Sequence, residues 1–195
     1  MTNDTQIEYW IASAKTGEQI GYERLYHYFV GSIYRLAYGV LLHEQDAEEV
    51  VQDSFSYAFR RIDQYDPARS AFKTWLYTIT LSRCRNKRRR KWLPTLRISD
   101  VIERLAGSAA RPEALAMQQH ARQTIHDALQ ELSPRLREAV ALRYFEGLTY
   151  REMGEVLTCP QKTAESRVRL AHERLFHLLA NQRETLLEEL SGYEA

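Results

Sequence analysis

In the stretch FKTWLYTITLSRCRNKRRRKW, residues 72–92, an apolar half continues directly into a strongly cationic half. Phe72, Trp75, Leu76 and Ile79 recur at helical spacing in the first half. The second half carries seven Lys and Arg side chains and no acid. Because neither Gly nor Pro occurs in it, the stretch predicts one helix through most of its length.

Two interpretations of this helix are open from the stretch alone. Cationic side chains beside exposed aromatic rings suit single-stranded nucleic acid, because phosphates need neutralising and bases need flat surfaces to stack on. A core helix with a solvated basic end would have the same pattern.

Charge is unevenly distributed in a chain whose total charge is small. The 195 residues suit one medium domain or two small ones, and 44% hydrophobic with 27% charged residues indicates a soluble globular protein. The formal net charge is only +1, so an argument for nucleic-acid binding must rest on charge distribution. Acids cluster at 44–53, and bases at 83–91 and 162–174. Surfaces of opposite sign indicate two partners, one of them polyanionic.

Several classes of protein are disfavoured by what the sequence does not contain. Cys84 and Cys159 lie far apart and outside any metal-ligand spacing, so we expect buried, inert thiols and no metal or cofactor. The polar N-terminus lacks a signal-peptide core, and no apolar run approaches membrane-spanning length. We therefore expect a cytoplasmic protein without membrane insertion.

Helical periodicity extends along the chain, and no strand-like segment occurs. We predict an all-α fold with two small helical domains, residues 1–92 and 113–195, joined by a flexible linker at 93–112 that contains at most a helical turn at 100–105. The predicted helices span residues 1–16, 18–42, 46–62, 72–92, 113–132, 133–145, 149–157 and 161–189.

The C-terminal domain has the pattern of a helix-turn-helix. Thr149 and Glu152 form a capping box that begins a short helix, a tight turn follows at 158–160, and a longer helix has a polar, basic first half. That second helix can enter the major groove, where Arg and Lys bind phosphate or guanine and Glu165 can accept from cytosine. Its predicted DNA-facing residues are Gln161, Lys162, Thr163, Glu165, Ser166, Arg167 and Arg169. An ordinary helical hairpin is the alternative.

Together, the two halves resemble the extracytoplasmic-function (ECF) sigma factors of bacterial RNA polymerase. The resemblance is carried by DAEEVVQDSFSYAFRRIDQYDPARSAFKTWLYTIT in the first domain and LSPRLREAVALRYFEGLTYREMGEVLTCPQKTAESRVRLAHERL in the second. It implies a transcription initiation factor that binds core RNA polymerase, recognises the −10 and −35 elements of promoter DNA and promotes melting. Such a chain would not be an enzyme, and an anti-sigma protein is a further implied partner.

The resemblance also implies roles for individual residues. The acidic helix would bind the β′ clamp helices through Asp46, Glu48, Glu49, Gln52 and Asp53, and the β subunit of the polymerase is a further implied partner. The −10 element would bind Tyr65, Arg69, Tyr77, Ser82, Arg83, Arg85, Asn86 and Arg89. Ser82 departs from the Asn that many members carry at this base-reading position. The −35 element would bind the helix at 161–174.

Three local expectations follow from comparing residues with the family pattern. We expect Trp75 to pack in the core and Tyr77 to be the partly exposed aromatic. Pro160 stands where members often have a capping Ser or Thr, so the start of the last helix is expected to shift to Thr158 or Cys159. Cys159 replaces an apolar turn residue and is expected to be buried.

A stand-alone helix-turn-helix transcriptional regulator is the alternative function. It would bind duplex DNA without polymerase, usually as a dimer on paired half-sites. It would leave the acidic helix and the basic, aromatic helix unexplained. An enzyme acting on nucleic acid is less favoured, because the six histidines are scattered and no His/Asp/Glu set has metal-ligand spacing.

Overall fold

The structure is a computed structural model that describes the backbone of residues 3–92 and 113–180 and the side chains of residues 4–90 and 120–180. The predicted linker at 93–112, its helical turn and the end of the last helix lie outside these residues. In the described part, all regular structure is helical, which confirms the all-α prediction. None of the described helices is both long and apolar enough to cross a membrane.

In the described ranges 3–92 and 113–180, eight α-helices follow the predicted order closely. They are α1 (Asn3–Lys15), α2 (Gln19–Leu41), α3 (Glu44–Arg60), α4 (Phe72–Trp92), α5 (Glu113–Gln130), α6 (Pro134–Val140), α7 (Tyr150–Leu157) and α8 (Gln161–Leu179). A 3-10 turn, Ile62–Gln64, follows α3. A π-helical turn, Ala141–Phe145, continues α6 to the predicted end of that helix.

Helices α1 to α4 form the N-terminal half around an apolar core. Leu25, Ile33 and Leu36 of α2 are completely buried, as their one-face spacing predicts. Trp75 is partly buried and packs its ring on Phe72, so the core position expected for it is confirmed. Burying aliphatic side chains of this size stabilises a fold by about 2 kcal/mol each.

The glycines of α2 mark close helix contacts rather than breaks. Helix α2 contains Gly21, Gly31 and Gly39, yet it is continuous over Gln19–Leu41. A Cβ at Gly21 would lie 2.4 Å from the Ala14 nitrogen of α1, so the missing side chain lets α1 approach. A Cβ at Gly39 would lie 2.4 Å from the Phe145 ring in the π-helical turn.

Helices α5 to α8 form the C-terminal half, and its capping box is confirmed. Thr149 Oγ1 accepts from the Glu152 amide at 3.3 Å, while Glu152 Oε2 accepts from the Thr149 amide at 2.7 Å. The shift expected for the last helix is wrong. Thr158 ends α7 in the left-handed conformation (φ 54°), and α8 begins at Gln161 after Pro160, whose extended backbone needs no side-chain cap.

The two halves pack against each other, and α4 lies between them. Helix α2 contacts α6 and the π-helical turn, and α4 contacts α7. One buried apolar cluster includes Leu76 of α4 and Met153 of α7, so it extends through both halves. A smaller cluster brings Leu42, after α2, to Val140 of α6. One flank of α4 is therefore covered by the C-terminal half.

Candidate nucleic-acid and protein interfaces

The outward face of α4 is a polar strip. Ser82 and Arg89 are exposed and Asn86 is half-buried, at the spacing of one helix face. Arg89 Nη2 donates to Asn86 Oδ1 at 3.3 Å, which orients the amide of Asn86. The strip brings together three of the predicted −10-binding residues.

A cation–π stack lies on the α3 side of this strip. The Arg83 guanidinium lies 4.1 Å from the centroid of the Tyr57 ring, and Arg61 lies 5.0 Å from the same ring. Among the described side chains, no hydrogen-bond partner reaches the buried Nε of Arg83. Arg83 is thus oriented along α3, because the ring face attracts its charge.

Asp46 is oriented toward α4, which corrects its expected place on the outer acidic face. The residue is only 6% exposed, and its Oδ1 lies 3.4 Å from Lys87 Nζ. Lys87 also donates to Glu49. Burial lowers the pKa of Lys87, but the hydrogen bond to Glu49 and the charges of Asp46 and Glu49 raise it more, so its net shift is upward. Asp46 therefore connects α3 to α4.

The remaining acidic and amide side chains of α3 do form an outward strip. Glu48, Gln52 and Asp53 are exposed, and Glu49 keeps 64% of its side-chain surface although it accepts from Lys87. Their positions lie one helical turn apart on the side opposite the buried Val50 and Phe55, so a protein surface could contact them together. The structure thus brings together four of the five predicted polymerase-binding residues.

Arg85 contacts the C-terminal half. Its Nε donates to Glu138 Oε1 at 3.0 Å and its Nη2 to Glu138 Oε2 at 2.7 Å, a bidentate pair. Arg88 Nη1 lies 3.9 Å from Glu138 Oε1. The hydrogen bonds to Glu138 raise the pKa of Arg85. Glu138 is almost completely buried, at 2% exposure.

Sequence reasoning missed Glu138. Its partners lie about fifty residues earlier in the chain, beyond the range of any local pattern. A signal was present: Glu138 directly precedes the apolar run Ala139–Leu142, on the inward side of α6, where an acid needs a cation.

Tyr77 is completely buried, which corrects its expected exposure. The π-helical turn and Glu146 cover it, and its hydroxyl donates to Glu146 Oε2. The other oxygen of Glu146 accepts from Arg35 Nε at 3.1 Å. Burial, followed by the hydrogen bond to Glu146, raises the pKa of Tyr77 far above its ordinary value.

Tyr65 is also buried, in contrast to the exposure that base capture would need. Its hydroxyl donates to the Ser70 carbonyl at 3.0 Å, and its own carbonyl accepts from Lys15 Nζ at 2.8 Å. Burial is the main reason why the pKa of Tyr65 is raised. Tyr65 therefore fixes the shape of the loop, while Arg69 in the same loop is exposed.

The first half of α8 is an exposed polar and basic surface. Ala164, Val168 and Ala171 face inward, which leaves all seven predicted residues on the outer side of one helix end. Gln161, Lys162, Glu165, Ser166 and Arg169 are exposed, and Thr163 and Arg167 are half-buried. Arg169 pairs with Glu173 one turn further along. This surface has the placement that a major-groove helix requires.

The two thiols differ in burial. Cys84 is completely buried in α4, which confirms the burial expected for it, and burial raises its pKa to about 12. Cys159, in the turn before α8, is only half-buried, which corrects the burial expected for it.

Comparisons with known proteins match this arrangement. Two family models match the chain, Sigma-70 region 2 over residues 25–93 and Sigma-70, region 4 over residues 122–175. The ECF RNA polymerase sigma-E factor of Salmonella typhimurium is 34% identical over 141 residues, which cover 67% of this chain and 72% of that protein.

Two solved structures are similar along most of the chain. CnrH in complex with the cytosolic domain of CnrY has a TM-score of 0.66 and 25% identity, and the match covers 89% of this chain and 96% of CnrH. The sigma factor RpoE in complex with the anti-sigma factor NepR, from Bartonella quintana, has a TM-score of 0.63 and 25% identity, with 82% and 97% covered.

Proposed function

The chain belongs to the sigma-70 family of RNA polymerase sigma factors, in the ECF group, and from this premise we propose how it selects promoters. It binds core polymerase through the acidic strip of α3, the −10 element through α4 and the −35 element through α8. The observation that carries the proposal is the separation on one chain of an outward acidic strip from two outward basic or polar helix faces. In this proposal, residues 1–92 form the domain that binds polymerase and the −10 element. Residues 93–112 form the linker, and residues 113–195 form the domain that binds the −35 element.

Polymerase binding is assigned to Glu48, Glu49, Gln52 and Asp53. Their exposure on one face of α3 suits a basic, helical surface such as the β′ clamp helices. Asp46 would not contact polymerase itself but would hold α3 in position, because its ion pair with Lys87 connects α3 to α4.

Promoter opening is assigned to the outward strip of α4 with Arg69 of the preceding loop. Unpaired bases would contact Ser82 and Asn86, while Arg89 would neutralise phosphate. Capture of unpaired bases stabilises the open state without covalent chemistry. The chain would therefore act as a non-enzymatic subunit, and the cytoplasmic location expected from the sequence belongs to the same proposal.

Recognition of the −35 duplex is assigned to α8. Arg167 and Arg169 suit phosphate or guanine, and Glu165 suits a cytosine amino group. Joining two modest DNA-binding surfaces in one chain raises their combined affinity. An anti-sigma protein is a further proposed partner, supported by the complex of the similar RpoE with the anti-sigma factor NepR.

Run-off transcription tests the proposal. Bacterial core RNA polymerase is incubated with a genomic fragment library in the presence and absence of the purified chain. We expect a defined set of start sites that requires the chain. Start sites that are the same without it would contradict the proposal. Specific duplex binding by a dimer without polymerase would favour the stand-alone regulator.

A further inference from the structure

We propose that in the free chain the C-terminal half packs on α4, so that Glu138 of α6 binds Arg85 and Arg88 where promoter phosphate would bind. We call this arrangement closed. The inference rests on the proposed function of α4 as a DNA-binding surface. It adds a regulatory step to that function, because the C-terminal half must leave the flank of α4 before the full surface can bind a DNA strand.

The ion pair has the geometry of a specific contact. Glu138 receives two short hydrogen bonds from Arg85, at 3.0 and 2.7 Å, and lies 3.9 Å from Arg88. An almost completely buried carboxylate must be compensated by such partners, since an unpaired one is strongly destabilising. Glu138 is therefore compensated by α4 while the halves are in contact and must be solvated when they separate.

Further polar contacts join the same two halves. Glu146 accepts from Tyr77 of α4 and from Arg35 of α2. The end of α2 contributes two carbonyls: Val40 O lies 3.4 Å from Arg137 Nη1, and Leu42 O lies 3.1 Å from His126 Nε2. These bonds make the closed arrangement a defined interface on one side of α4.

Apolar packing at Gly39 brings the backbones close. The Phe145 ring occupies the space that a side chain at position 39 would fill, and Ala141 Cβ lies 3.1 Å from the same point. Phe145 remains 37% exposed, so the ring sits at the edge of the interface. An added methyl group at this position fits only if the Phe145 ring and Ala141 move away from Gly39.

Closure competes with DNA binding because phosphate and carboxylate oxygens both accept from the same pair of guanidinium N–H groups. A strand along Ser82, Asn86 and Arg89 meets Arg85 on the adjacent flank of α4, where both oxygens of Glu138 are already bound. The apparent affinity of the free chain for single strands is then reduced by the fraction of molecules that are open.

Gly39→Ala is the variant that tests closure directly. The added methyl group collides with Phe145 and Ala141, yet alanine is favoured over glycine in the interior of a helix such as α2, so the variant should fold. Gly31→Ala is the matched control. It has the same preference for helix, and its new Cβ would meet only Arg35 Nη1, at an ordinary 3.5 Å.

Closure is measured in the full chain by energy transfer between dyes at Ser56→Cys and Ser133→Cys, two exposed positions in opposite halves, with Cys159→Ser in the background. The buried Cys84 should not be labelled. Binding is measured by the anisotropy of a fluorescein-labelled, mixed-sequence single-stranded oligonucleotide. We expect high transfer in the parent and Gly31→Ala proteins. In Gly39→Ala we expect lower transfer and at least about tenfold tighter strand binding.

Glu138→Gln gives a second, independent test. It keeps the shape of the side chain but removes the charge that binds Arg85, so transfer should fall and strand binding should tighten. Glu155→Gln is its control, since Glu155 is exposed and pairs only locally, with Arg151 at 3.5 Å. Unchanged transfer in both Gly39→Ala and Glu138→Gln, or low transfer in the parent protein, would overturn closure.

The readouts separate this inference from the proposed function. Energy transfer reports closure without polymerase or promoter. High transfer that falls in Gly39→Ala would support closure even if the chain failed to direct polymerase to start sites. Open variants that bind the single strand no more tightly than their controls would overturn the competition between Glu138 and DNA.

Discussion

Helices α4 and α8 both carry basic surfaces, but the partners of their cations differ. Arg85 of α4 binds Glu138 of α6. Lys87 of α4 binds Asp46 and Glu49 of α3, so acids from two other helices neutralise these two cations. On α8, Lys162 is exposed, and Arg169 pairs with an acid of its own helix. A run of basic residues therefore does not by itself define an available DNA surface. Acids that are distant in the sequence decide which cations are already paired, since Arg85 binds Glu138 although its side chain is 47% exposed.

Affinity for core polymerase should depend most strongly on the outward acids of α3, whereas Asp46 faces α4. Glu48→Lys with Asp53→Lys should weaken binding to core polymerase about 100-fold with an unchanged fold, because each reversal replaces attraction by repulsion. Affinity is measured by titration of labelled core polymerase. Asp4→Lys with Glu23→Lys, which changes charge equally elsewhere, should bind normally. Equal loss in both double variants would remove the distinction between the acidic strip and the rest of the surface.

The next effect concerns the outward cations of α8. Arg167→Ala with Arg169→Ala should weaken binding of the polymerase complex to upstream duplex by about 10- to 100-fold and lower the salt slope by about two. The measurement is a salt titration of complex formation. Arg24→Ala with Arg135→Ala removes the same charge from other exposed positions and should leave the slope unchanged. A normal slope in the α8 variant would mean that α8 does not contact phosphate.

A smaller effect is expected inside the N-terminal half. Asp46→Asn should lower the free energy of unfolding by about 1.5–3 kcal/mol, because it leaves Lys87 with one charged partner on α3. Urea denaturation measures the change. Glu48→Gln, on the outward strip, should change stability by less than about 0.5 kcal/mol. Similar losses in both variants would contradict the different roles assigned to inward and outward acids.

The last prediction concerns the buried Cys84 in the interior of α4, in contrast to the half-buried Cys159. The folded pKa of Cys84, raised to about 12, lies above the value near 8.5 of an unfolded thiol. Its contribution to stability is therefore complete below about pH 8 and is lost as pH rises toward the folded value. The difference in unfolding free energy between the parent protein and Cys84→Ala should shrink from about pH 8 to about pH 11. A difference that grows with pH would contradict the burial of this thiol.

Local sequence signals predicted the helices well. Apolar spacing places α2 and α4 within two residues of their observed ends, since each signal lies inside the segment it describes. The capping box at Thr149 is equally local, because both partners lie within four residues. The family resemblance added the assignment of surfaces that no single segment could give.

The errors at Tyr77 and Asp46 share one cause, which is dependence on distant partners. Tyr77 is buried because the π-helical turn and Glu146, sixty-nine residues later, cover it. Asp46 is buried because Lys87 of another helix binds it. Pro160 is a local error of a different kind, since its extended backbone lets α8 begin at Gln161 without a side-chain cap. Neither periodicity nor composition contains information about contacts between helices.

Start-site mapping across a genomic library tests the roles of α4 and α8 together, because it reads both DNA surfaces in one experiment. Core polymerase with the parent chain should select sites that share two separate sequence blocks. Asn86→Ala should relax only the block nearer the start, and Arg167→Ala with Arg169→Ala should relax only the upstream block. If both variants select the same two blocks as the parent chain, α4 and α8 are not the surfaces that read the promoter.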